Sequence, residues 1–268
     1  MADNIHDYYK RCIYQIHSGI IRIRRPNITG AQNNVFFVET RDEQFVVKFN
    51  VEDLVTKNLG ASQLYARHDI PVPELHIGHV RGQWYETYPC IPGTTLFEAI
   101  GHGMPASRIR RIYGRVIREF AKMDEISPRA LARYRCKYAH QVTLYHVRNS
   151  NSATLATIAD PIVRGLNMGH ERNMGVYHLD ITPKNIVVDD FDNITFLDMD
   201  SVAICNRNFA LGAVATKYQG LGLDVQELYD MCDKTLLTPI NRGRISAMAN
   251  INNFGKWLLW RTAQMKKR

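Results

Sequence analysis

The residues of this chain best suited to chemistry lie in His178-Leu179-Asp180-Ile181-Thr182-Pro183-Lys184-Asn185 and, past a short apolar stretch, in Phe196-Leu197-Asp198-Met199-Asp200. Asp180 and Asn185 stand 5 positions apart, and Asn185 and Asp198 stand 13 apart. Two carboxylates and an amide meeting at one point suit phosphoryl transfer. One carboxylate orients an attacking hydroxyl and accepts its proton, while the amide oxygen and the second carboxylate hold Mg²⁺ against nucleotide phosphates. A loop before a hairpin and an acid after it bring all three together, and the apolar strands fix their separation.

The elements that must position these groups follow from periodicity. Residues 1–20 repeat apolar side chains at helical spacing, with Ile5, Tyr8, Tyr9, Cys12, Ile13 and Ile16. Val35, Phe37 and Val38, then Phe45, Val46, Val47 and Phe49, read as two strands turned by Thr40-Arg41-Asp42-Glu43. A helix is expected from about Asp53 to Arg67, stopped at Asp69-Ile70-Pro71-Val72-Pro73 by its prolines. Strands resume at Leu75–Val80 and Trp84–Tyr88 around the turn Arg81-Gly82-Gln83. Beyond Pro89–Gly93 the character is helical, with Ile109, Ile112, Val116, Ile117 and Phe120 on one stripe. A further helix is expected over Ala153–Asn173, then a loop at His178–Asn185. A hairpin follows, Ile186–Val188 with Ile194–Leu197 turned by Asp189–Asn193, and the chain is read as helical from about Leu223.

At the acidic segments the sequence resembles the protein-kinase-like superfamily, and within it the aminoglycoside phosphotransferase and choline kinase branch, whose pattern is H-x-D-x-x-x-x-N followed by hydrophobic residues and a D-x-D-like end. The resemblance implies Asp180 as catalytic base, Asn185 and Asp198 as metal ligands, Asp200 as an auxiliary metal acid, and His178 as a support of the loop. Other segments agree in order. Thr29-Gly30-Ala31-Gln32-Asn33-Asn34 is similar to the branch's nucleotide loop, with Thr29 in place of one glycine, which implies Gly30 and Asn34 at the phosphates. Phe45-Val46-Val47-Lys48 resembles the strand whose lysine contacts those phosphates. Tyr88-Pro89-Cys90-Ile91-Pro92-Gly93 resembles the hinge where backbone groups hold adenine, implying Tyr88 and Cys90 there. The likeness spans about Ile28–Ala203. One departure matters most: the branch pairs its strand lysine with a Glu on the next helix, and that position here is Asn58, with Glu52 and Asp53 as other acids of that helix.

The resemblance implies an α+β, bilobal protein-kinase-like fold, with a small antiparallel-sheet lobe at 1–90 and a larger helical lobe at 91–268, and with ATP and Mg²⁺ between them. The expected reaction moves the γ-phosphoryl group to a hydroxyl of a small molecule. The alternatives are an atypical protein kinase, opposed by the lack of a long activation segment ending in Ala-Pro-Glu, and a nucleotide-binding pseudokinase, favoured by Asn58. Among 268 residues, 34 Lys and Arg against 26 Asp and Glu give 34 − 26 = +8, which suits a neutral or anionic acceptor better than a polycation. Arg108, Arg110, Arg111, Arg115 and Arg118 read as a solvated helix face, with docking of an anionic substrate as the alternative; Cys136, His140 and His146 lack the spacing and fourth partner of a zinc site, and Trp257 and Trp260 read as core or a docking face. Five cysteines without a CxxC pair, no leader and no apolar run of spanning length lead to a cytoplasmic expectation with no membrane span. Nothing indicates nucleic acid.

Overall fold

The computed structural model describes residues 2–26, 34–132 and 174–251. Helix α1 (Ala2–Ile16) precedes strands β1 (Ile20–Arg24), β2 (Asn34–Thr40) and β3 (Gln44–Asn50), helix α2 (Glu52–Arg67), and strands β4 (His76–Val80) and β5 (Gln83–Pro89). The strands form one antiparallel sheet in the order β1-β2-β3-β5-β4. Strand alternation gives β3 two different faces. Phe45, Val47 and Phe49 join Phe36, Val38 and the α1 residues Cys12 and Ile13 in a buried cluster. Val46 and Lys48 take the other face, and the ladder sets Val46 opposite Tyr88 and Lys48 opposite Glu86. The sheet therefore shields one side with α1 and presents Lys48 on the other.

Helix α2 ends where Asp69 turns to φ 53 ahead of Ile70-Pro71. Its Ala61, Leu64 and Tyr65 belong to the larger core, built with the elements that follow. These are β6 (Thr94–Thr95), α3 (Leu96–Gly101), α4 (Ala106–Asp124), α5 (Pro128–Ala132), β7 (Met174–His178), β8 (Ile186–Val188), β9 (Ile194–Phe196), β10 (Val202–Asn206), α6 (Arg207–Gly220) and α7 (Val225–Thr235), with residues 242–251 also helical. The stripe Ile109, Ile112, Val116, Ile117 and Phe120 of α4 is buried, each side chain contributing about 1.5–3 kcal/mol. Strand β8 lies between β6 and β9, and β7 pairs with β10. The whole is a mixed α+β fold, an antiparallel N-terminal sheet followed by a mainly helical part.

The first six expected elements and the β8–β9 hairpin agree with this architecture. Three differ. The segment expected as loop from His178 begins at the end of a strand, because β7 pairs with β10 through His178 opposite Val202. Strand β10 has all five residues buried, so it carries no alternation to read, and α6 is buried on nearly every side, so it shows no stripe. The expected helix 153–173, and Gly30, Cys136, His140, His146, Trp257 and Trp260, lie outside the described residues.

The α4 arginines are more than a solvated face. Arg108 and Arg111 both bond Asp192, Arg115 bonds Asn193 and the Phe191 carbonyl, and Arg110 pairs with Glu227 of α7. Arg108, Arg111 and Arg115 tie the helix to the β8–β9 turn and Arg110 ties it to α7, through partly exposed contacts of modest individual strength.

Gly93 seats the connection after β5 on that hairpin. Its φ is +121, and a Cβ there would stand 2.5 Å from the Val188 carbonyl oxygen. Gly93→Ala is expected to lose about 1–3 kcal/mol of stability, read as a lowered midpoint in denaturant. An unchanged midpoint would show that the connection relaxes freely.

Candidate active site

The catalytic-loop segment is tied by its own short bonds. The Thr182 amide donates to the Asp180 carbonyl, the Asn185 amide to the Thr182 carbonyl, and the Leu197 amide to the Asn185 carbonyl. Pro183 opens a single 3₁₀ turn, Pro183–Asn185, where its lack of an N–H does no harm. Asn185 Nδ2 donates to both the carbonyl and Oδ2 of Asp180, each at 2.9 Å. With both amide hydrogens spent on Asp180, the Asn185 oxygen is the atom left to face a cation. Asp180 is 44% exposed, and Lys217 of α6 sets its ammonium 3.9 Å from Asp180 Oδ1.

His178 joins this loop to the acidic segment. Its Nδ1 accepts from the Asp180 amide at 3.2 Å, so its Nε2 donates to the Leu197 carbonyl at 2.9 Å. That is the neutral imidazole, and burial, which holds its pKa below the ordinary histidine value, favours the same form. The next residue, Asp198, has φ 61, a left-handed conformation that a short polar residue accepts more readily than most. The turn swings Asp198 and Asp200 toward β3.

There they meet Lys48. Its ammonium lies 2.6 Å from Asp198 Oδ1, 2.8 Å from Asp200 Oδ2 and 3.4 Å from Glu86 Oε1. Burial alone would lower the Lys48 pKa, but Asp198, Glu86 and Asp200 outweigh it and the lysine titrates above its usual value. Burial likewise works against the Asp200 carboxylate, while Lys48 and Asn58 hold it below the ordinary range. Burial pushes Glu86 up, with Lys48 offsetting part of the rise. Behind this group, Lys57 of α2 donates to the carbonyls of Asp200 at 2.5 Å and Val202 at 3.3 Å, so α2 grips the acidic turn by its backbone.

The site residues read from sequence divide accordingly. Lys48, Asp198 and Asp200 meet directly, Asp180 and Asn185 are locked to each other, and His178 links the two groups through Leu197. Tyr88 shares the face of Lys48, its phenol pushed up by burial. Cys90, in the segment whose backbone groups are expected to hold adenine, donates its amide to the Gln44 carbonyl at 2.9 Å. Asn34 stands opposite Phe49 on the face of the sheet away from Lys48 and donates to the Tyr9 hydroxyl at 2.7 Å. The structure does not bring it to the others. Nor are Glu52 or Asp53 among the acids at Lys48: beside Asp198 and Asp200 stands Glu86, which sequence reading passed over. Its signal was an acid inside the aromatic run Trp84-Tyr85-Glu86-Thr87-Tyr88, two positions from the hinge. Lys57 and Lys217 were missed too.

Asn185, Asp198 and Asp200 are hard oxygen donors of the kind Mg²⁺ takes. Among the described residues no three His, Cys, Asp or Glu side chains are grouped for a metal, so a cation here would need the amide oxygen beside the two carboxylates. No described helix is long and apolar enough to cross a membrane.

Comparison with known proteins agrees with this fold. The sequence model of the phosphotransferase enzyme family matches residues 24–204. A search of curated proteins finds no match. Among solved structures, choline kinase LicA from Streptococcus pneumoniae superimposes with a TM-score of 0.68 at 12% identity, covering 98% of this chain and 92% of that one. A second structure of that protein is a complex with AMP. An aminoglycoside-3'-phosphotransferase of type VIII gives 0.66 at 13% identity, covering 96% and 98%. The GDP complex of aminoglycoside 2'-phosphotransferase-IIIa gives 0.67 at 11% identity, covering 97% and 99%. At such identities the likeness is one of fold.

Proposed function

Because the chain belongs to the phosphotransferase enzyme family, we propose that it moves the γ-phosphoryl group of ATP, in the presence of Mg²⁺, to a hydroxyl of a small molecule. The observation that carries this reading is the convergence of Lys48 with Asp198 and Asp200 beside the Asp180–Asn185 lock. The AMP and GDP complexes of similar structures support a purine nucleotide as donor. The lobes would divide at 90/91, where β5 gives way to the connection carrying Gly93. A cytoplasmic setting, which supplies ATP and Mg²⁺, belongs to the same proposal.

In this reading Asp180 accepts the proton of the acceptor hydroxyl and aims its oxygen at phosphorus, held in place by Asn185. Lys48 contacts the nucleotide phosphates. Asn185, Asp198 and Asp200 would hold Mg²⁺, which when bound offsets charge on the transferring group. Lys217 adds a positive charge beside Asp180, where negative charge collects. Positioning and charge neutralisation would supply most of the rate. The Tyr88 face and the backbone after β5 would receive the base, while Gly30 would cover the phosphates. The Asn34 side chain, committed to Tyr9, would contribute only through its backbone.

The net charge of +8 supports a neutral or anionic acceptor, such as a sugar, a nucleoside or a sugar acid. A protein acceptor and a binding-only protein remain the competing readings, and Asn58 is what favours the second. Thermal denaturation with ATP or GTP and Mg²⁺ tests the donor. Saturation at 100 times Kd should stabilise the fold by about 2.7 kcal/mol, and no shift with either nucleotide would contradict the proposal. Radiolabel from γ-labelled ATP, followed against a panel of neutral, anionic and cationic hydroxyl compounds, then identifies the acceptor.

A further inference from the structure

The helix position expected to carry the acid for Lys48 holds Asn58, yet Lys48 is not short of acids. The three at hand are not equivalent. The Asp198 and Asp200 side chains are 35% and 18% exposed and belong to the turn that faces the loop of Asp180 and Asn185. Glu86 is 2% exposed and sits behind Lys48. Lys48 and Glu86 are direct partners across the β3–β5 ladder, so the backbone register alone sets them face to face, whatever the position of α2.

Asn58, wholly buried on α2, closes the group. Its Nδ2 donates to Glu86 Oε2 at 2.8 Å and to Asp200 Oδ1 at 2.5 Å, using both amide hydrogens. Its own Oδ1 is buried without a partner among the described residues. Turning the amide over would press that oxygen against two carboxylates, so the donor orientation is fixed. A carboxylate at position 58 would stand within hydrogen-bond distance of Glu86 and Asp200, adding a fourth acid, itself buried, to a group with two lysines, Lys48 and Lys57. An acid at 58 and an acid at 86 therefore exclude each other, and a neutral donor at 58 is what an acid at 86 requires.

We propose that Glu86, on the strand, is the acid that positions Lys48 toward the nucleotide phosphates, and that Asn58 is the amide clamp holding Glu86 in place. The proposal rests on the nucleotide reading of Lys48. Were Asp198 and Asp200 to hold a cation, Glu86 would be the partner left to Lys48. The lysine is thereby set by a sheet register rather than by the docking of a helix, and the Asn58 departure becomes one half of a relocated ion pair instead of a mark of lost activity.

The test is equilibrium titration with a fluorescent ATP analogue and Mg²⁺, alongside turnover, for the full chain and for Glu86→Gln, Asn58→Glu and the double exchange. Each single change should weaken nucleotide binding roughly 10- to 100-fold, by opposite errors: one leaves Lys48 without its rear acid, the other crowds two acids. The exchange, which moves the acid from strand to helix, should regain most of the loss. A merely structural role would give a double variant at least as impaired as the worse single one. That result, or native affinity in Glu86→Gln, overturns the proposal while wild-type binding upholds the nucleotide reading. Absence of binding by the wild type overturns both.

Discussion

Asp180→Asn is expected to lower turnover by about 10²–10⁴-fold, the usual worth of a positioned general base, while leaving nucleotide affinity near the wild-type value. The substitution is nearly isosteric. An amide oxygen at 180 can still accept from Asn185 Nδ2, now at 2.9 Å from Asp180 Oδ2, and the backbone bonds from Thr182 and to His178 do not involve the side chain. What disappears is the capacity to take a proton. Lys217, whose ammonium is 3.9 Å from Asp180 Oδ1, loses its counter-charge as well. Steady-state kinetics should show kcat falling with little change in nucleotide KM. Turnover within a factor of a few of wild type would remove Asp180 from the proton-accepting role.

Asp198→Asn should fail differently. Asn tolerates the left-handed φ of 61 as Asp does, so the turn survives. The change removes one negative charge from the place where Asp198 Oδ1 meets Lys48 at 2.6 Å and where a cation would be held. A cation-dependent contribution of several kcal/mol to the transition state corresponds to roughly a thousandfold in kcat/KM. Nucleotide affinity should fall with it, and its dependence on Mg²⁺ should flatten, a signature Asp180→Asn lacks. Titrations of nucleotide at several Mg²⁺ concentrations for both variants check the contrast. Identical profiles would mean that the two carboxylates do not divide the work as the geometry indicates.

The contrast between what was legible and what was not has physical causes. The hairpin of β2 and β3 could be read because both strands are dense in Val and Phe and a polar turn, Thr40–Glu43, separates them. The spacing of Asp180, Asn185 and Asp198 could be read because a tight loop and a two-strand hairpin admit few lengths. Strand β10 and helix α6 could not, since burial on all sides erases the period that marks an element. Glu86 escaped for another reason: its meaning lies in the β3–β5 register, which sets it opposite Lys48, and register is a property of two segments that neither displays alone. Asn34 shows the converse. Its place beside a loop like those that bind phosphates suggested a contact, but strand parity turns its side chain to Tyr9. The acid partner of Lys48, left open between the acids of α2 and another arrangement, could not be settled from sequence because it too depends on the β3–β5 register.

The most direct measurement of the central claim is ³¹P NMR of ATP and Mg²⁺ incubated with the protein and the acceptor panel, with Asp180→Asn as control. Appearance of ADP together with a new phosphomonoester resonance, absent from the control, is the predicted result. Inorganic phosphate as the only new species, or a spectrum in which ATP persists with every acceptor, would contradict the assignment of this chain as a small-molecule phosphotransferase.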